Sequence, residues 1–270
     1  MRRIGLVHPR ERRRIPPLRQ GVYILPNLFT TGGLFAGFYS IIATLHHDYR
    51  MAAIMILAAM ACDVLDGRIA RLTRSASSFG LQYDSLADVV AFGVAPGILV
   101  YTWALHPWGR WGWLAATLYV TCGALRLARF NVQLGTVERR HFQGLPIPAG
   151  AAVIASTVLL YYYLSGQGDP NKHILMLLVV YAVAALMVSE FRYLSFKEVR
   201  WHRRHPFPVL LGLIVLIVLA IGAPELVLFL GIVGYALSGP VGAIWRLRRG
   251  GRAEPAPTQV VALDKPGGGR

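Results

Sequence analysis

Apolar residues along this 270-residue chain fall in long blocks, not in amphipathic stripes. Segments 174–188, 207–223 and 226–237 contain no charged residue at all. A helix needs about 20 mostly apolar residues to cross the hydrocarbon core of a bilayer. The pattern predicts eight spans, at 22–46, 51–72, 81–105, 111–134, 147–165, 173–190, 207–222 and 225–245. Turn chemistry marks four of the breaks: His46-His47-Asp48, His106-Pro107-Trp108-Gly109, Gly166-Gln167-Gly168-Asp169-Pro170 and Gly222-Ala223-Pro224. The expected fold class is all-α, a polytopic membrane helix bundle. About six helices form its core and two more lie toward the C-terminus.

Composition agrees with that pattern, and charge adds an orientation. Hydrophobic residues make up 55% of the chain and charged residues only 15%, against about 25% charged in a soluble domain. The net charge of +15 raises nucleic acid as a partner, but its distribution excludes that reading. Of the 28 lysines and arginines, 25 fall in 1–20, 68–74, 126–140, 192–204 and 246–270, all on one side of the predicted spans. Only Arg50, Arg110 and Lys172 lie opposite. The positive-inside rule then places both termini in the cytosol of a multi-pass inner-membrane protein. Membrane lipids are expected partners, since an anionic leaflet attracts each such residue by about 1 kcal/mol. The expected organisation is a basic cytosolic segment at 1–21, a transmembrane domain at 22–245 and a disordered cytosolic tail at 246–270. Cys62 and Cys122 both sit in apolar segments and suggest neither a disulfide framework nor a zinc motif. The first apolar segment lacks a small-residue cleavage site and reads as a retained membrane helix.

Four aspartates break the apolar pattern. Asp63 and Asp66 are three residues apart on the second predicted helix, and Asp84 and Asp88 are four apart on the third. Each pair therefore shares a helix face. The connection between the two helices is short, so they are antiparallel neighbours and all four carboxylates can converge at their cytosolic ends. A charged residue deep in a membrane helix costs roughly 2.5–3.5 kcal/mol, and four carboxylates repel. Convergent oxygen donors without His or Cys suit Mg²⁺ or Mn²⁺ and argue against zinc. Two ions would balance four charges and would form a clamp suited to phosphoryl transfer. Arg68, Arg71 and Arg74 surround the pair. Two other readings stay open: a structural ion-pair network with those arginines, and a proton or cation path. A path needs ionisable groups at mid-membrane depth, and these cluster at one end, which favours catalysis.

Asp63-x-x-Asp66-Gly67-x-x-Ala70-Arg71, then eight residues, then Gly80-x-x-x-Asp84-x-x-x-Asp88 resembles the complete signature of the CDP-alcohol phosphatidyltransferases. Softer matches extend across 20–200. They include Leu25-Pro26-Asn27-Leu28-Phe29-Thr30, Arg126-Leu127-Ala128-Arg129-Phe130-Asn131 and Phe142-Gln143-Gly144-Leu145-Pro146-Ile147-Pro148. These are similar to the bacterial membrane-bound phosphatidylserine synthase branch. The resemblance implies that the L-serine hydroxyl attacks CDP-diacylglycerol and CMP leaves, in a homodimeric enzyme. It implies Asp63, Asp66 and Asp84 as metal ligands, with Asp88 as the base and a further ligand. It implies CDP-diacylglycerol contacts at Pro26, Asn27, Gly67, Arg71 and Ser77. The acceptor is the part on which the signature is silent; inositol phosphate, glycerol phosphate and choline are the alternatives.

Arg126, Arg129 and Asn131 at the cytosolic end of the fourth span read either as positive-inside anchors or as a clamp for the serine carboxylate. Arg129 is the candidate for the clamp. Gly32, Gly33 and Gly37 predict close helix packing, and Asn27 reads as a helix-initiating residue or a cytidine partner. His141 reads as a loop residue. Trp108, Trp111, Trp113 and Tyr161–Tyr163 read as an interfacial belt. His46, His47 and His106 fall at the membrane face opposite the aspartates.

Overall fold

The computed structural model describes residues 24–73, 77–133, 144–165, 174–191, 193 and 206–248, and every regular element among them is helical. Eight helices occur in order: α1 Ile24–Leu45, α2 Tyr49–Leu72, α3 Ser78–Trp108, α4 Arg110–Gln133, α5 Ile147–Ser165, α6 Ile174–Val188, α7 Pro206–Gly222 and α8 Pro224–Arg248. The expected basic segment at 1–21, His141 and the tail beyond α8 lie outside the described residues.

The largest shifts in helix starts have a local cause. Asp48 caps α2 by accepting the Met51 N–H at 3.0 Å, and Ser77 caps α3 by accepting the Gly80 N–H at 2.9 Å. Each cap satisfies an otherwise orphaned backbone donor. The helices therefore begin two and three residues before their apolar patterns. Inside α3, π-helical turns over Val89–Val94 and Tyr101–Leu105 flank the α-helical stretch Ala95–Val100. Pro96 lies in that stretch and cannot donate to the Phe92 carbonyl four residues back. Tyr119 of α4, fully buried, donates its hydroxyl to that same oxygen at 2.8 Å. The wider turns and the tyrosine together satisfy a backbone that a straight helix would leave broken.

Small residues bring the first three helices together. Gly33 faces the Ala59 carbonyl and Cys62 of α2, and a Cβ on Gly37 would stand 2.6 Å from the Ala91 Cα of α3. Fully buried Ala52, Ala53, Phe92, Leu99, Ile154 and Val180 belong to one continuous core to which α1 to α6 and α8 contribute. The segment before α5 docks on the end of α6. Gly144, at φ 79°, donates to the Phe191 carbonyl at 3.0 Å, and Leu145 donates to Leu186 at 2.9 Å. A left-handed φ of this kind favours glycine.

The last two helices differ from each other. α8 packs on α5, and its buried Gly239 seats the Tyr193 ring. α7 lies against α8, with Leu210, Ile214, Ile217 and Leu219 about half exposed. The expected pair of peripheral C-terminal helices is thus one bundle helix and one rim helix.

Among the described residues, four helical stretches are long and apolar enough to cross a membrane by themselves: Ile24–Leu45, Ser78–Trp108, Ile147–Leu164 and Pro224–Trp245. Ile174–Val188 and Leu210–Gly222 are apolar but shorter. α2 and α4 lose hydropathy to the charged residues they carry, Asp63, Asp66, Arg68 and Arg71 on one and Arg126 and Arg129 on the other. Phe35, Phe38, Trp111 and Trp113 are all more than half exposed. Apolar surface on this scale is that of an integral membrane protein. Tyr161, by contrast, turns inward and meets Trp103 edge to face, with ring centroids 5.4 Å apart.

Gly37→Ala should destabilise the bundle by about 1–3 kcal/mol, because backbone cannot yield as a flexible side chain would. A lowered thermal midpoint of the detergent-solubilised protein checks this. The same change at Gly67, where a Cβ meets nothing within 4 Å, should leave the midpoint unchanged or slightly raised.

Candidate active site

The aspartates sit where α2 ends and α3 begins, with α1 alongside. One carboxylate oxygen each from Asp63, Asp66 and Asp84 lies within 4.8 Å of the other two. Asp66 is 5% exposed, and Thr30 of α1 donates its hydroxyl to Asp66 Oδ2 at 2.8 Å, with the Pro26 carbonyl 3.2 Å away. A second tie joins α1 to α3, where the Thr31 and Tyr83 hydroxyls lie 2.9 Å apart. Asp88 stands outside the group of three but lines the same small cavity, together with Thr30, Ala59, Ala87 and Phe92.

Carboxylates this close repel unless a cation joins them. No described arginine or lysine does so: the ion pair present among the described residues joins Arg129 to Glu190 at 3.9 Å. Arg68 is exposed, and the exposed Arg71 donates Nε–H to the Gly67 carbonyl at 2.8 Å. Arg74 lies outside the described residues. An arginine network therefore does not account for the described cluster. Three hard oxygen donors with no nitrogen or sulfur fit a divalent metal ion.

Directly beside the cluster is a second, larger cavity of about 200 Å³. Four residues expected at the nucleotide lipid gather around it: Pro26, Asn27, Gly67 and Ser77. Asp66 and Asp84 form its shared wall with the smaller cavity. Gly67 leaves that space open, and the Asn27 Oδ1 comes within 3.2 Å of where a Cβ on Gly80 would stand. Larger side chains at Gly67 or Gly80 would enter the space.

Other expected residues fall differently. Arg71 does not line the cavity, though its bond to Gly67 keeps it one turn away. Arg129 is 41% exposed at its side chain and lines neither cavity. Asn131 donates to Ser85 Oγ at 2.8 Å and so ties α4 to α3. His46, His47 and His106 are exposed near the other ends of their helices.

Sequence reasoning missed Thr30 as a site residue, and it chose Arg129 over Arg126, which also lines neither cavity. Thr30 lies one helical turn after Pro26, so helical spacing alone places it on the site-facing side of α1. Arg126 is the one arginine with a described side chain that is not exposed; Arg50, Arg68, Arg71, Arg110 and Arg129 all are. Its spacing does not distinguish it from Arg129, since both share a face.

Residues 23–188, more than half of the chain, match the CDP-alcohol phosphatidyltransferase family, and the chain belongs to it. Within the family, several curated relatives act on serine by name. The CDP-diacylglycerol–serine O-phosphatidyltransferase of Helicobacter pylori is 42% identical over 184 residues, covering 67% of this chain and 76% of that protein. The enzyme of the same name from Bacillus subtilis is 34% identical over 175 residues, 64% of this chain and 92% of the relative. The archaetidylserine synthase of Methanothermobacter thermautotrophicus is 37% identical over 171 residues, 63% and 69% of the two chains.

Thr30→Val removes the donor to Asp66 while keeping the shape of the side chain. Groups that orient metal ligands typically contribute 10–100-fold in affinity. Titration of the purified variant with Mn²⁺, followed by electron paramagnetic resonance, should show binding weakened by about that factor.

Proposed function

We propose that this chain transfers the phosphatidyl group of CDP-diacylglycerol to the hydroxyl of L-serine, giving phosphatidylserine and CMP. The observation that carries this is the shared wall: Asp66 and Asp84 line both the acidic cavity and the pocket of Asn27, Gly67 and Ser77. A donor lying in the larger pocket thereby presents its phosphates to the carboxylate cluster. The names of the relatives, all serine enzymes, support serine as the acceptor.

Asp63, Asp66 and Asp84 would hold Mg²⁺ or Mn²⁺, two ions in our reading, with Asp88 as a further ligand. Such ions neutralise phosphoryl oxygens and the charge that develops on the leaving group. The remaining work belongs to the chain. Thr30 fixes the orientation of Asp66. Pro26, Asn27, Gly67 and Ser77 receive the nucleotide, and Arg71 reaches pyrophosphate oxygens from the rim with its forked donors. A serine hydroxyl is a weak nucleophile until its proton is removed. Asp88, one turn deeper than Asp84, takes that proton. The serine oxygen bonds to the lipid-linked phosphorus as the bond from phosphorus to CMP breaks, and CMP departs with the bonding electrons.

The charge distribution supports cytosolic termini and a cytosol-facing site in an inner membrane, since 25 of 28 basic residues fall on that side. The assembly is a homodimer in this reading. A transporter would need ionisable groups along the membrane midplane, whereas the four aspartates cluster at one end of α2 and α3.

The test is CMP release by the purified protein with CDP-diacylglycerol, Mg²⁺ or Mn²⁺, and each candidate alcohol. Release with L-serine is expected. Release with inositol phosphate, glycerol phosphate or choline but not serine would reassign the acceptor, and no release with any alcohol would remove the enzymatic reading. Asp88→Asn should slow turnover by about 10²–10⁴-fold, the usual contribution of a general base, while CDP-diacylglycerol still binds. Equal losses of binding and rate would count against Asp88 as the base.

A further inference from the structure

Arg126 on α4 is buried enough that its Nε is sealed from solvent, yet that Nε–H has no hydrogen-bond partner. No ion pair to it exists among the described residues, where Arg129–Glu190 is the pair that forms. A sealed N–H donor without a partner is costly in an apolar bundle. The titratable neighbours of Arg126 are the Tyr235 phenol of α8 and the Asp88 carboxylate of α3. Tyr235 is held in place from behind. The Tyr193 ring lies 5.6 Å from it, centroid to centroid, and Tyr193 is anchored by donating to the Ala236 carbonyl at 3.2 Å. Gly239 leaves the space that this ring fills.

We propose that Arg126 and Tyr235 bind the carboxylate of the acceptor amino acid, so that the last helix completes the acceptor site. This rests on the serine-transfer reading above. The hydroxyl and carboxylate of serine stand two carbons apart. A base at the hydroxyl and a cation at the carboxylate must then be separated by the length of the substrate. Asp88 and Arg126 are neighbours that are not ion-paired, which leaves an acceptor able to lie between them. The guanidinium fork and the phenol supply donors matched to one carboxylate. A single buried cation suits a singly charged acceptor better than a phosphorylated one, and choline offers it no anion. The family match ends at residue 188, and α8 begins at Pro224. Acceptor choice is therefore set in part by a helix outside the shared domain.

The experiment measures CMP release by the full-length enzyme with Mn²⁺, varying L-serine, serinol (which lacks the carboxylate) and CDP-diacylglycerol in turn. Arg126→Gln should raise the KM for serine about 10- to 100-fold, the range for a hydrogen bond to a charged group. The KM for CDP-diacylglycerol should stay within about twofold, and the preference for serine over serinol should collapse. Tyr235→Phe should raise the serine KM by about two- to tenfold, as expected for one neutral donor. If Arg126→Gln is inactive, Tyr235→Phe and Arg126→Lys decide the matter. An unchanged serine KM, or equal rises in both KM values, overturns this assignment alone. Wild-type enzyme that releases no CMP with serine overturns the serine-transfer reading and this assignment with it.

Discussion

Three carboxylates within 4.8 Å of one another, at the end of an apolar bundle, are the constraint around which the described structure is organised. Left alone they would push α2 and α3 apart, and no described basic side chain joins them. Two features hold them in place. The Thr30 hydroxyl directs one Asp66 oxygen and leaves the carboxylate further acceptor capacity. The glycines at 33 and 37 let α1 approach α2 and α3 closely enough for that hydroxyl to reach. Replacing those small residues would act on the site through distance, without touching a carboxylate.

The same constraint explains the irregularity of α3. Asp84 and Asp88 lie on its regular first segment, Ser78–Asp88, and the π-helical turn starts at Val89. π-helical turns recur at functional sites because they rotate the later part of a helix relative to the earlier part. Here the widened turn and Pro96 lie one step deeper than the acidic cluster, and the Tyr119 hydroxyl makes good the backbone bond that Pro96 cannot. Asn131 and Ser85 add a second tie between α3 and α4 near the site. The acidic face of α3 is thus held from both sides, by α1 through Thr31 and Tyr83 and by α4 through Asn131 and Tyr119.

Much of this architecture was legible in the chain, and the limit has a physical origin. Helices α1 to α8 arise from apolar blocks and breakers, with small shifts where Asp48 and Ser77 cap. The convergence of Asp63, Asp66 and Asp84 comes from helical spacing and a short connection, which are local properties. The pocket of Pro26, Asn27, Gly67 and Ser77 was legible only through resemblance, since nothing in their spacing brings α1 to the cluster. The π-helical turns were not legible, because hydropathy does not distinguish i+4 from i+5 hydrogen bonding. Nor was the difference between Arg126 and Arg129. They share a helix face, and what separates them is that Glu190 and solvent meet one while the Nε of the other is buried in the bundle.

The contrast between these two arginines divides the site into two kinds of construction. The donor side is built from contiguous sequence: α1, α2 and the first turns of α3 supply every lining residue of the nucleotide-sized pocket. It can therefore be carried as one unit by proteins that share the reaction and differ in acceptor. The proposed acceptor side draws on α4 and α8, with Arg126 and Tyr235 more than a hundred residues apart in the chain. Contacts of such long separation depend on how the late helices pack, here on Tyr193 seated over Gly239. If α8 does complete the acceptor site, as proposed, a new acceptor preference would require changes in the packing of α8 on α5, while the carboxylate cluster and the pocket beside it stayed as they are.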